Sequence, residues 1–75
     1  MNRVKLTKQF SQSVRVMRAL TGLTQEELGD KVGLSRVAIK KIESGNGKYI
    51  RTKNYEHIQS WIDTENVNRI INGGY

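Results

Sequence analysis

The chain has 75 residues, with 13 lysines and arginines against seven aspartates and glutamates, and a formal net charge of +6. It contains no cysteine, which excludes disulfides, thiol nucleophiles and cysteine-based metal sites. A domain of this size buries only roughly 60% of its unfolded surface, which argues against a deep substrate pocket. The positive excess favours a polyanion such as nucleic acid as partner, although a basic domain without such a partner fits the total charge equally well.

Neither a secretory leader nor a membrane span is predicted. The first ten residues lack the apolar run of a signal peptide, and no stretch approaches the roughly 20 apolar residues of a transmembrane helix. We therefore expect a cytoplasmic protein with a single domain over residues 1–75 and no membrane partner. Residues 1–6 are expected to form a basic arm, and residues 73–75 a tail.

A first helix is predicted over residues 7–21. Thr7 is a suitable N-cap, and Gly22 is a suitable residue to end the helix. Three apolar residues recur at helical spacing on one face, which is expected to pack in the core: Phe10, Val14 and Met17.

A second helix is predicted to start at Thr24 and to end at Gly33. Thr24 and Glu27 form a capping box, in which each side chain accepts a hydrogen bond from the other's backbone N–H. Leu28 and Val32 lie four residues apart and are predicted to face inward. Gly33 suits the left-handed backbone conformation that commonly ends a helix.

A third helix is predicted from the capping Ser35 to Ser44. Ile39 and Ile42 share its inward face, and the opposite face carries polar and apolar residues, namely Val37, Lys40, Lys41 and Ser44. Charge is concentrated from this helix onward, because residues 36–53 contain six lysines and arginines and one glutamate. A clustered basic segment of this kind is typical of nucleic-acid binding.

After a basic loop over residues 46–53, two further helices are predicted. The fourth runs from residue 52 or 53 to 62, and a short fifth runs from residue 64 or 65 to 72. No strand pattern is apparent. The predicted fold is therefore all-α, a compact bundle of about five short helices.

The second and third helices are joined by a short glycine-containing turn, which defines a helix-turn-helix. The turn needs a positive φ at Gly33, and close packing of the two helices favours the small Gly29. Buried residues fix the angle between the helices, so the third helix projects its outer residues. The major groove of B-DNA is about 12 Å wide and admits one helix.

The stretch LTQEELGDKVGLSRVAIKKIESG, residues 23–45, closely resembles the Cro and C-repressor class of helix-turn-helix domains. The resemblance extends over residues 10–62. It implies a lambda-repressor-like DNA-binding domain with its helix-turn-helix at about residues 24–44. It also implies a transcription regulator, a small phage or bacterial repressor that binds a double-stranded DNA operator as a homodimer.

The resemblance also implies roles for individual residues. Those matching the family's base-reading positions are Ser35, Arg36, Val37 and Lys41. Those expected to bind phosphate are Thr24, Gln25, Lys40, Asn46, Lys48 and Arg51. Arg18 and Glu43 match an ion pair that joins the first helix to the third.

The sequence departs from the family pattern at two places. Gly29 stands where the family more often has alanine, at a cost of up to about 1 kcal/mol in helix propensity. The loop after the third helix lacks the usual proline, so the resemblance does not define the shape of that loop.

A different class of function stays open. A small helix-turn-helix protein can act as an anti-repressor or antitoxin, binding another repressor or a toxin in a hetero-complex. Residues 63–75, with Val67, Ile70 and Ile71, are then the candidate contact surface. No arrangement of nucleophile, base and orienting group is recognisable, so we expect no enzyme activity, no cofactor, no metal and no small-molecule ligand.

Overall fold

The computed structural model describes residues 2–45 and 47–72 of the chain. Four helices dominate this part of the chain: α1 (Lys8–Thr21), α2 (Gln25–Val32), α3 (Arg36–Ser44) and α4 (Thr52–Asn72). Two three-residue strands, β1 (Arg3–Lys5) and β2 (Tyr49–Arg51), pair antiparallel. The mostly helical architecture confirms the predicted fold class. None of the described helices is both long and apolar enough to cross a membrane.

The prediction of two separate helices after residue 52 is wrong, because α4 continues to Asn72 without a break. Neither glycine nor proline interrupts residues 52–72, so nothing in the backbone requires an end near residue 63. A side-chain hydrogen bond between Gln59 Nε2 and Asp63 Oδ1, at 3.0 Å, bridges the expected break at a spacing of four residues.

The expectation of no strand is also wrong. Residues 3–5 of the expected basic arm pair with residues 49–51 of the expected loop. The pairing continues beyond the strands, because the Leu6 N–H donates to the Lys48 carbonyl at 3.0 Å and the Thr52 N–H to the Asn2 carbonyl at 2.8 Å. Strands of three residues are too short for their alternation to predict a strand pair.

All four helices and strand β2 contribute side chains to one core. Among the described residues, the largest fully buried side chains come one from each helix: Val14, Leu28, Ile39 and Ile58. Strand β2 adds the buried Ile50, and Leu34 and Trp61 pack at the margin. The inward faces predicted from helical spacing are therefore the ones that pack in the core.

The turn between α2 and α3 brings the two backbones into close contact. Gly33 has φ 76°, and the Leu34 N–H donates to the Gly29 carbonyl at 2.8 Å. A Cβ atom at Gly29 would overlap the carbonyl oxygen of Leu34. The absence of a side chain at Gly29 therefore permits the tight turn that sets the angle of α3.

Gly29→Val is expected to lower the free energy of unfolding by about 1–3 kcal/mol, because the new side chain must displace backbone atoms of the turn. Asp30→Val introduces the same residue at the next position, which is exposed, and controls for the helix propensity of valine. Urea denaturation measures both variants. Equal losses would show that the close approach at Gly29 has no energetic weight.

Candidate nucleic-acid interface

Helix α3 presents its charged side to solvent. Arg36, Lys40 and Lys41 are exposed, and the apolar Val37 is 74% exposed. The opposite side packs inward through Ile39 and Ile42. Core packing therefore fixes the rotation of α3 about its own axis and leaves Arg36, Val37 and Lys41 open to a ligand.

Ser35 has a structural contact at the start of α3. Its Oγ accepts a hydrogen bond from the Ala38 N–H at 3.1 Å, which caps the helix. A serine hydroxyl that accepts in this way still carries a proton to donate. Because Ser35 is exposed, that proton is available to a base edge or a phosphate.

An ion pair links α1 to the end of α3. Arg18 Nε lies 2.6 Å from Glu43 Oε2, and Arg18 Nη2 donates to Glu43 Oε1 at 3.0 Å. Glu43 is 4% exposed, whereas the Arg18 side chain is 25% exposed. The hydrogen bond with Glu43 raises the pKa of Arg18 above its ordinary value. The same guanidinium donates to the Leu23 carbonyl at 3.0 Å and so also holds the turn before α2.

The first residue of α2 is bonded to this ion pair. Gln25 Nε2 donates to Glu43 Oε1 at 3.2 Å, which fixes the orientation of the half-buried Gln25 side chain. Glu43 therefore contacts both α1 and α2 from α3. An amide held in this way is positioned before a ligand arrives, which reduces the entropy lost on binding.

The capping box at the start of α2 is present. The Glu27 N–H donates to Thr24 Oγ1 at 3.1 Å, and the Thr24 N–H donates to Glu27 Oε1 at 2.9 Å. The hydrogen bond that the Glu27 carboxylate accepts from the Thr24 backbone lowers the pKa of Glu27, and the interaction of the carboxylate with the Thr24 side chain lowers it further. Thr24 is exposed beside Gln25, at the positive end of the helix dipole.

The remaining residues expected to bind phosphate lie on and after α3. Lys40 is exposed on α3, Lys48 precedes strand β2, and the exposed Arg51 ends that strand. Asn46 lies outside the described residues. Pairing with β1 constrains the backbone of residues 48–52, in a loop where the family's usual proline is missing.

Two cations of the expected basic arm, which were not among the residues assigned to DNA contact, also lie near this surface. Arg3 lies opposite Arg51 in the sheet, and Lys5 lies opposite Tyr49. The alternation of Arg3, Val4, Lys5 and Leu6 is the available signal for a strand here, and it is too short to predict a pairing partner.

A family model described as "Helix-turn-helix" matches residues 14–56, which is more than half of the chain and includes α2 and α3 completely. No curated protein sequence matches the chain with significant similarity.

Proposed function

The chain belongs to the Cro/C-repressor-type helix-turn-helix family of DNA-binding transcription regulators, and we propose that it is a small phage or bacterial repressor of the Cro type. In this proposal α3 enters the major groove of a specific operator. The observation that carries it is the exposed face of α3, where Arg36 and Lys41 accompany an unusually exposed Val37.

Base reading is assigned to the exposed face of α3. Arg36 pairs with a guanine through two hydrogen bonds, and Val37 packs on a thymine methyl group. Lys41 contacts a neighbouring base edge, and the Ser35 hydroxyl donates a hydrogen bond. Each good bidentate contact contributes about 1–3 kcal/mol of discrimination between bases.

Phosphate binding is assigned to residues before, on and after α3. Thr24 and Gln25 lie at the start of α2, where the helix dipole favours an anion and Glu43 orients the glutamine. The other assigned residues are Lys40, Asn46, Lys48 and Arg51. These contacts fix the register of the protein on the duplex without reading its sequence.

We further propose that the protein binds its operator as a homodimer, on half-sites about one helical turn apart. Val16 and Leu20 of α1 are half-exposed and line a cleft of about 410 Å³ with Ile62 and Asn66 of α4. Ile70, four residues beyond Asn66 on α4, is 74% exposed. This apolar surface is the candidate dimer contact. Sedimentation equilibrium with and without DNA tests whether the protein forms a dimer.

Arg36→Ala is expected to relax the preference at one base position at a cost of about 1–3 kcal/mol, whereas Lys48→Ala is expected to weaken binding to all duplexes about equally. The operator is first obtained by selection from random duplexes. Binding titrations against all single-base variants of that operator then compare the two proteins. Equal and sequence-independent losses would remove Arg36 from the base-reading residues.

The second candidate is a protein-binding modulator, either an anti-repressor or an antitoxin. The observation favouring it is the exposed end of α4, where Val67, Ile70 and Ile71 are 52%, 74% and 72% exposed. The selection is therefore repeated with the product of the adjacent gene present. Tight binding to that product together with negligible duplex binding alone would favour the modulator over the repressor.

A further inference from the structure

The two-stranded sheet has one apolar face and one cationic face. Val4 and Ile50 are paired across the strands and face the core. Residues directly opposite each other in an antiparallel pair project from the same face, and the neighbouring pairs project from the other one. The exposed face of the sheet, which we call the basic ribbon, consists of Arg3, Lys5, Tyr49 and Arg51.

The basic ribbon places like charges opposite each other. Arg3 and Arg51 are direct cross-strand partners, an arrangement that destabilises a sheet when nothing neutralises it. Arg3 is held over the ring of Tyr49, with 4.3 Å from Cζ to the ring centroid, which orients the guanidinium but leaves its charge in place. Within residues 2–45 and 47–72 the ion pair is Arg18–Glu43, which lies on a different part of the surface. The positive charge of the ribbon is therefore complementary to the negative charge of a polyanion.

The basic ribbon adjoins the exposed face of α3. Ala38 and Lys41 of α3 share a cleft of about 180 Å³ with Tyr49 and Arg51 of the ribbon. The Lys41 side chain passes Gly47, where a Cβ atom would lie 3.7 Å from it. A duplex that receives α3 in its major groove carries a phosphate backbone along each edge of that groove. The two strands together carry one negative charge per about 1.7 Å of helix axis.

We propose that the basic ribbon is an additional binding surface for the sugar–phosphate backbone of double-stranded DNA, with Arg3 and Lys5 as contacts supplied by strand β1. This inference rests on the proposed function, because it assumes that α3 docks in the groove. The ribbon contacts phosphates beside the segment that α3 reads. It contributes affinity and register and carries no base specificity, because its cations meet only the backbone.

Salt dependence of binding to a random-sequence duplex tests this proposal. Each phosphate contact contributes about 0.9 to the slope of log K against log salt concentration. Arg3→Gln and Lys5→Gln are each expected to reduce the slope by about 0.9, with equal affinity losses on the selected operator and on random DNA. Lys31→Gln is the matched control, since Lys31 is exposed beside Asp30 and Glu65 on the cleft between α2 and α4.

The outcomes separate this inference from the proposal beneath it. Lys5→Gln provides the decisive comparison, because it removes no hydrogen bond or ion pair of the Lys5 side chain to another described residue. Thermal melting verifies that both variants remain folded. If the parent binds duplexes and Lys5→Gln gives the same slope as Lys31→Gln, the ribbon is not a phosphate contact and the proposed function is unaffected. If the parent binds neither random nor selected duplexes, the proposed function fails and this inference fails with it.

Discussion

Ile39→Ala is expected to lower the free energy of unfolding by about 2–5 kcal/mol. Ile39 is fully buried, so the substitution removes packed methyl and methylene groups and leaves a cavity that solvent cannot fill. For a domain whose whole stability is on the order of 5–15 kcal/mol, such a loss is large. Urea denaturation at constant temperature measures the change.

Val37→Ala is the matched control for this prediction. Val37 lies on the same helix two residues earlier but is 74% exposed, so its truncation is expected to change stability by less than about 0.5 kcal/mol. DNA binding is expected to show the reverse order when it is measured under conditions in which both variants are folded, because Val37 faces the proposed groove. Similar losses of stability in the two variants would mean that α3 is rotated differently about its axis.

The second large effect is expected at Glu43. Glu43→Ala leaves the Arg18 guanidinium without its carboxylate partner and removes the acceptor of the Gln25 amide. We therefore expect the free energy of unfolding to fall by about 2–4 kcal/mol. This decrease should be smaller than the largest typical for breaking a fully buried ion pair, because a quarter of the Arg18 side chain is exposed and solvent screens its charge. Chemical denaturation gives the free energy of unfolding.

A double-mutant cycle with Arg18→Ala separates the energy of the ion pair from the other effects of truncating each side chain. Arg18 and Glu43 belong to one hydrogen-bonded network, so the double variant should lose less unfolding free energy than the sum of the two single variants. Additive losses would show that Arg18 and Glu43 stabilise the fold independently. Glu43→Gln retains the shape and an acceptor for Gln25, so its DNA binding should decline less than that of Glu43→Ala.

The helix caps and the inward faces of α1, α2 and α3 were predicted from the sequence because each depends on residues a few positions apart. The capping box needs only Thr24 and Glu27, and the end of α2 needs only Gly33. The inward faces of the helices follow from helical spacing, which places Leu28, Ile39 and their neighbours in the core. The ion pair between Arg18 and Glu43 was predicted from the family resemblance, since no local pattern relates two residues 25 positions apart.

The sequence by itself determined the helix-turn-helix, because caps, glycine and apolar periodicity act within a turn or two of helix. Only the tertiary structure decided that Arg3 lies opposite Arg51 and Lys5 opposite Tyr49, next to the exposed face of α3. A sheet pairing between distant residues must offset the entropy of closing the intervening chain, and no short window of sequence records it. The packed core, against which the buried Ile50 and the partly buried Val4 lie on the same face of the sheet, selects that pairing.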